Sequence, residues 1–91
     1  EQARRIAAML REGLEPARRL PHVRDVRVMG AIGVIELQDL VPRTLRQRFI
    51  DKGVWIRPFG NIVYTTPPLT ITDDELATLI SAMVSVVREA S

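Results

Sequence analysis

The chain predicts an α+β fold, with about four strands in a largely antiparallel sheet and three helices packed on it. Three observations carry this. Two pairs of short apolar runs are each split by a glycine-containing break, Gly30-Ala31 and Gly60-Asn61, the pattern of hairpins. Residues 2–14, 43–52 and the segment after Thr72 place apolar side chains at helical spacing. The length, 91 residues, supports one small domain. The predicted order is helix, strand, strand, helix, strand, strand, helix.

In residues 2–14, Ile6, Met9, Leu10 and Leu14 form one stripe, with Arg4, Arg5, Arg11 and Glu12 elsewhere around the helix. Gly13 weakens its end, and Pro16 opens a new turn over 16–20 rather than continuing the old one. A loop starts at Pro21-His22. Residues 23–29 alternate, with Val26 and Val28 on one face, and 32–37 form the second strand, antiparallel to the first. Gly33 inside that strand predicts a bulge or the close approach of another backbone. Residues 43–52 form a polar helix with Leu45, Phe49 and Ile50 inward, ended by a glycine cap at Gly53. Strand three is predicted over 54–57, stopped by Pro58, and strand four over 62–64. The last helix has the clearest start: Thr72 at the N-cap and Glu75 three residues on make a capping box, and Asp73 and Asp74 suit the positive end of the helix. Leu76, Leu79, Ile80, Met83 and Val87 form its stripe, broadened by Val84 and Val86, so it is predicted to be covered on more than one side.

Composition narrows the function. The hydrophobic fraction is 46%, and with aromatics at 4% the core is aliphatic. No apolar run approaches the roughly 18 residues of a membrane span, and the opening Glu1-Gln2-Ala3-Arg4-Arg5 has no signal-peptide pattern. Cysteine is absent, which excludes disulfides and thiolate metal sites and fits a reducing compartment. The net charge is +2, yet the arginines are interleaved with Glu12, Glu15, Asp25, Asp39 and Asp51 and no aromatic strand runs beside them, so no nucleic-acid role is expected. The chain opens inside a helix without an initiator methionine, which predicts a piece of a longer polypeptide.

Few residues invite chemistry. The lone histidine, His22, reads as an exposed loop residue rather than a base. Lys52, the single lysine, precedes a helix-ending glycine, where the macrodipole favours a cation. Asp73, Asp74 and Glu75 read as helix-start residues, no carboxylate cluster has metal-ligand spacing, and no glycine-rich phosphate loop occurs. No catalytic, cofactor-binding or metal-binding residue is assigned. Arg57 is different. Pro58 forces it into an extended conformation, and Val54, Trp55, Ile56 and Phe59 surround it with apolar bulk. A guanidinium held so matches a carboxylate through two parallel hydrogen bonds. The competing reading is an edge-strand arginine whose stem covers Trp55 while its head reaches water. Tyr64, on the partner strand, reads either as a phenol sharing the ligand of Arg57 or as a core tyrosine with a wet hydroxyl. Trp55 reads as packing.

The runs Val26 to Glu36 and Gly53-Val54-Trp55-Ile56-Arg57-Pro58-Phe59-Gly60-Asn61-Ile62-Val63-Tyr64 resemble the C-terminal part of the class III, fold-type I, pyridoxal-phosphate transaminases. The resemblance covers nearly the whole chain. The strand pair ending in Pro67-Pro68 before a Thr-rich helix start is common to the class. The Gly30-Ala31-Ile32-Gly33-Val34 and Gly53 to Phe59 runs are narrower, and resemble the adenosylmethionine-8-amino-7-oxononanoate aminotransferase branch of biotin biosynthesis. The resemblance implies that residues 1–91 form the small C-terminal domain of a longer, cytoplasmic, homodimeric enzyme. It implies S-adenosylmethionine and 8-amino-7-oxononanoate as substrates. Arg57 matches the arginine that binds the substrate carboxylate, and Tyr64 the tyrosine near the substrate. Pyridoxal phosphate would be bound by the large domain of the same polypeptide or its dimer partner, not by this segment, which alone would be inert. Two other readings stand beside it: a class III transaminase of ornithine or aminobutyrate type, and a stand-alone α+β module binding RNA or small acidic ligands.

Overall fold

The computed structural model describes residues 2–52 and 56–89. Its elements are α1 (Gln2–Leu14), a 3₁₀ turn (Glu15–Arg19), β1 (Val23–Met29), β2 (Ile32–Leu37), α2 (Arg43–Lys52), β3 (Ile56–Phe59), β4 (Ile62–Thr65) and α3 (Asp73–Glu89). The four strands form one antiparallel sheet in the order β1-β2-β4-β3, so that β1 and β3 are its edges. The predicted α+β architecture is the one observed, and the sheet is antiparallel throughout.

Each hairpin turns on two residues, the first a glycine with positive φ: Gly30 at 58° and Gly60 at 61°. A side chain there would be strained, and turns of this sense match the twist of the flanking strands. The register places Val26, Ile35, Val63 and Pro58 in one row across the sheet, and Val28, Gly33, Thr65 and Ile56 in the next. These rows face the helices. Ile35, Val63 and Ile56 join Ile6, Leu10 and Leu14 of α1 and Leu76, Met83 and Val87 of α3 in a single core. Removing each such side chain from water is worth about 1.5–3 kcal/mol.

Two local expectations give way. Gly33 makes no bulge: it pairs with Val28 and Thr65, and a Cβ there would lie 2.8 Å from Leu14 Cδ1 and 3.1 Å from Leu10 Cδ2. What comes close is the side-chain layer of α1, not another backbone. The bulge is at Arg24 instead, where two residues of β1 span one step of β2. It rotates the strand so that Val23 as well as Val26 is buried. Pro58 does not stop the ladder but pairs with Val63 inside β3. An edge strand tolerates the missing N–H there. Residues 54 and 55 of the predicted third strand, Trp55 included, lie outside the described residues, as do the Gly53 cap and the side chains of Leu45, Phe49 and Ile50.

Gly13 does more than weaken a helix end. A Cβ at that position would lie 2.5 Å from Ile80 Cγ2, so glycine lets α1 cross close to α3. The capping box forms as expected: Thr72 N–H donates to Glu75 Oε1 at 3.0 Å and Glu75 N–H donates to Thr72 Oγ1 at 3.1 Å. Arg5 ties α1 to this helix start through Asp73 and the Ile71 carbonyl. α3 is buried along Leu76, Ile80, Met83, Val84, Val86 and Val87, because α1 and α2 both pack on it. Among the described residues no helix is long and apolar enough to cross a membrane.

Candidate functional site

Strand alternation sends the intervening residues to the opposite face of the sheet. One row there is Arg27, Val34, Tyr64 and Arg57, in strand order β1-β2-β4-β3, and the adjacent row is Asp25, Glu36, Ile62 and Phe59. Beyond them lie Met29 and Ile32. This face is amphipathic: Phe59 is 72% exposed and Met29 56%, while Val34, flanked in register by Arg27 and Tyr64, is buried.

Arg57 and Tyr64 are direct partners across the β3–β4 ladder. Opposed side chains in such a pair have Cβ atoms about 4.5–5.5 Å apart, so guanidinium and phenol can reach one ligand. Arg57 is exposed and Tyr64 half-buried. The two residues singled out in sequence therefore meet, on the sheet face away from the core.

The two arginines of this row differ in their surroundings. Arg27 Nη1 donates to Glu36 Oε1 at 2.5 Å and to Asp25 Oδ2 at 3.1 Å. Those bonds, led by the one to Glu36, raise its pKa further above the ordinary range. The Arg27 bond holds the Asp25 carboxyl below the usual range, helped by the Val26 N–H and by Arg18. Arg18 completes this cluster at 2.8 Å from Asp25 and also donates to the Val26 carbonyl, covering part of the β1 edge. Arg27 is thus neutralised. Among the described residues, no carboxylate lies within ion-pair reach of Arg57.

His22 is not the exposed loop residue expected. It is half-buried, and its Nε2–H donates to the Val87 carbonyl at 2.8 Å, satisfying one of the open acceptors in the last turn of α3. Only the tertiary fold brings these positions together, so spacing could not reveal it. Asp73, Asp74 and Glu75 stay at the helix start, and no group of three or more metal-ligating side chains exists among the described residues. A groove of about 550 Å³ runs between α1 and α3, and smaller cavities lie beside His22 and Arg18. None of these three is lined by Arg57 or Tyr64. In sequence Asn61 marks only a turn. Its side-chain amide in fact donates to the Leu37 carbonyl at 3.1 Å, a bond with no sequence signal beyond the turn itself.

The fold is one found in the class III aminotransferases. The family pattern described as Aminotransferase class-III matches residues 1–87, and the chain belongs to that family. Among individual proteins, it is 45% identical over 89 residues to the adenosylmethionine-8-amino-7-oxononanoate aminotransferase of Corynebacterium glutamicum, covering 97% of this chain and 21% of that one. It is 49% identical over 82 residues to the Mycobacterium leprae protein of the same name, covering 89% and 19%. A crystal structure of the Methanocaldococcus jannaschii protein of that name superposes with a TM-score of 0.75 at 28% identity, over 94% of this chain and 23% of that one. The ornithine aminotransferase of Plasmodium yoelii superposes at 0.84 with 26% identity, over 100% and 25%. The chain spans about one fifth of the length of the curated relatives it matches.

Proposed function

We propose that this chain is the small C-terminal domain of an aminotransferase that moves the amino group of S-adenosylmethionine to 8-amino-7-oxononanoate, giving 7,8-diaminononanoate in biotin biosynthesis. Its part is to hold substrate: Arg57 takes the acid end of the acceptor, with the Tyr64 hydroxyl beside it. The single observation that carries this is an exposed guanidinium without a carboxylate partner among the described residues, opposed in register to a phenol. The names of relatives at 45–49% identity support the choice of substrates. Similarity in fold does not discriminate, since an ornithine aminotransferase superposes as well.

The residues present do not fit a pyridoxal-phosphate site. The cofactor needs a lysine amine in a desolvated pocket and an anion cradle. The chain has one lysine, Lys52 at the end of the polar helix α2, and the Arg57–Tyr64 face is a sheet surface rather than a closed cavity. In this reading the cofactor belongs to the rest of the polypeptide, which would supply the electron sink and dock as a homodimer in the cytoplasm. Arg57 contributes by pinning one end of a flexible acid so that its other end is presented in one place.

Assay of the full-length protein tests the reading. Amino transfer from S-adenosylmethionine to 8-amino-7-oxononanoate is expected to exceed transfer involving ornithine or 4-aminobutyrate by orders of magnitude. Preference for either of the latter would replace it with another class III activity.

A further inference from the structure

The hairpin that carries Arg57 and Tyr64 has no further strand beyond β3 among the described residues. β3 is a four-residue edge strand, and Pro58 adds no N–H to its ladder. Within the sheet, β3 is joined only to β4 and β4 joins it to β2, while α2 packs against β3 from outside the ladder. The β2–β4 register runs from Gly33 with Thr65 to Glu36 with Ile62. The next pair would be Leu37 with Asn61, where the chain has already entered the turn.

At that step the backbone supplies one bond and a side chain the other. Leu37 N–H donates to the Asn61 carbonyl at 2.8 Å, and the Asn61 side-chain amide donates to the Leu37 carbonyl at 3.1 Å. One residue earlier, Val41 N–H donates to the Gly60 carbonyl at 2.9 Å. Leu37 is 3% exposed, so without the amide its carbonyl loses its partner where water reaches poorly. We propose that Asn61 is a positioning residue: it extends the ladder by one rung into the turn and locks the hairpin to β2, so that Arg57 and Tyr64 meet a substrate carboxylate in one fixed place. The inference rests on the reading of Arg57 given above.

The test uses the full-length enzyme, with 8-amino-7-oxononanoate and its methyl ester as acceptors. Asn61→Ala is expected to lower kcat/KM for the acid by about tenfold, chiefly through KM, a modest part of what an ångström of misplacement can cost. The ester, which lacks the charge that Arg57 would grip, should change by less than about twofold. In an Arg57→Ala background the same substitution should also change little, because the two residues would act as one unit. Hydrogen exchange at the Leu37 and Val41 amides should quicken. Asn61→Asp, equal in volume but unable to donate at neutral pH, should reproduce these effects and serves if the alanine variant does not fold. Equal losses for acid and ester, or the same fold-loss with and without Arg57, would overturn the inference and leave Asn61 a purely structural residue. If Arg57→Ala alone leaves the acid's kcat/KM intact, the carboxylate reading falls first, and the exchange data still report whether the latch exists.

Discussion

Arg57 and Tyr64 face each other across the β3–β4 ladder, on the side of the sheet turned from the helical core. In the full-length enzyme, Arg57→Ala is expected to weaken transition-state binding of the amino acceptor by about 2–4 kcal/mol, roughly a 30- to 900-fold fall in kcat/KM. Arg57→Lys should recover only part of this, because an ammonium keeps the charge but loses the planar fork. Steady-state kinetics with varied acceptor measures both, and an unchanged kcat/KM in the alanine variant ends the assignment.

Gly13 sets helix propensity against packing. Alanine would favour the helix by about 1 kcal/mol. Its Cβ, however, would lie 2.5 Å from Cγ2 of Ile80, a side chain that is 6% exposed and, being β-branched, is held to one strongly preferred rotamer in its helix. Overpacking of this kind costs about 1–3 kcal/mol, so packing should prevail. Gly13→Ala is predicted to lower the urea midpoint of unfolding, and a raised midpoint would show that the α1–α3 crossing yields.

The capping box gives α3 a dependence on pH. The Thr72 N–H, and after it the Thr72 hydroxyl, hold the Glu75 carboxyl below the usual range. The folded state then binds a proton less readily than the unfolded state. This contribution is complete above the ordinary carboxylate pKa of about 4.3 and fades as pH falls through the lowered folded value. Glu75→Gln should therefore melt below the wild type near neutral pH, with the gap narrowing on acidification. Thr72→Ala should lose about 1 kcal/mol of stability near neutral pH. Parallel melting curves at all pH values would remove the argument.

Mixing the isolated chain with pyridoxal phosphate and reducing with borohydride is expected to leave no adduct at a single site, since the sequence around Lys52, a helix end before a glycine, does not suggest the desolvated pocket that a Schiff-base lysine needs. A stoichiometric adduct at Lys52, seen by peptide mass analysis, would place cofactor chemistry in this segment.

The elements and their order were legible because each obeys a local rule. A glycine-first turn splits each strand pair, a threonine and a glutamate three residues apart open α3, and apolar spacing marks α1. The pairing of Arg57 with Tyr64 was legible as well, through two short strands split by a two-residue turn. What sequence misjudged depended on contacts between distant residues: Gly33 makes room for Leu10 and Leu14, His22 reaches Val87 65 residues away, and Arg24 takes the bulge that buries Val23.

By itself, then, the sequence determined the hairpins, the helices and the guanidinium set beside a proline, because backbone sterics and periodicity act within a few residues. Only the tertiary structure decided that Arg27 pairs with Glu36 while Arg57 has no ion-pair partner among the described residues, and that the Asn61 amide reaches the Leu37 carbonyl. Those outcomes follow from strand register, which pairs residues far apart in the chain and assigns each side chain its face and its partner.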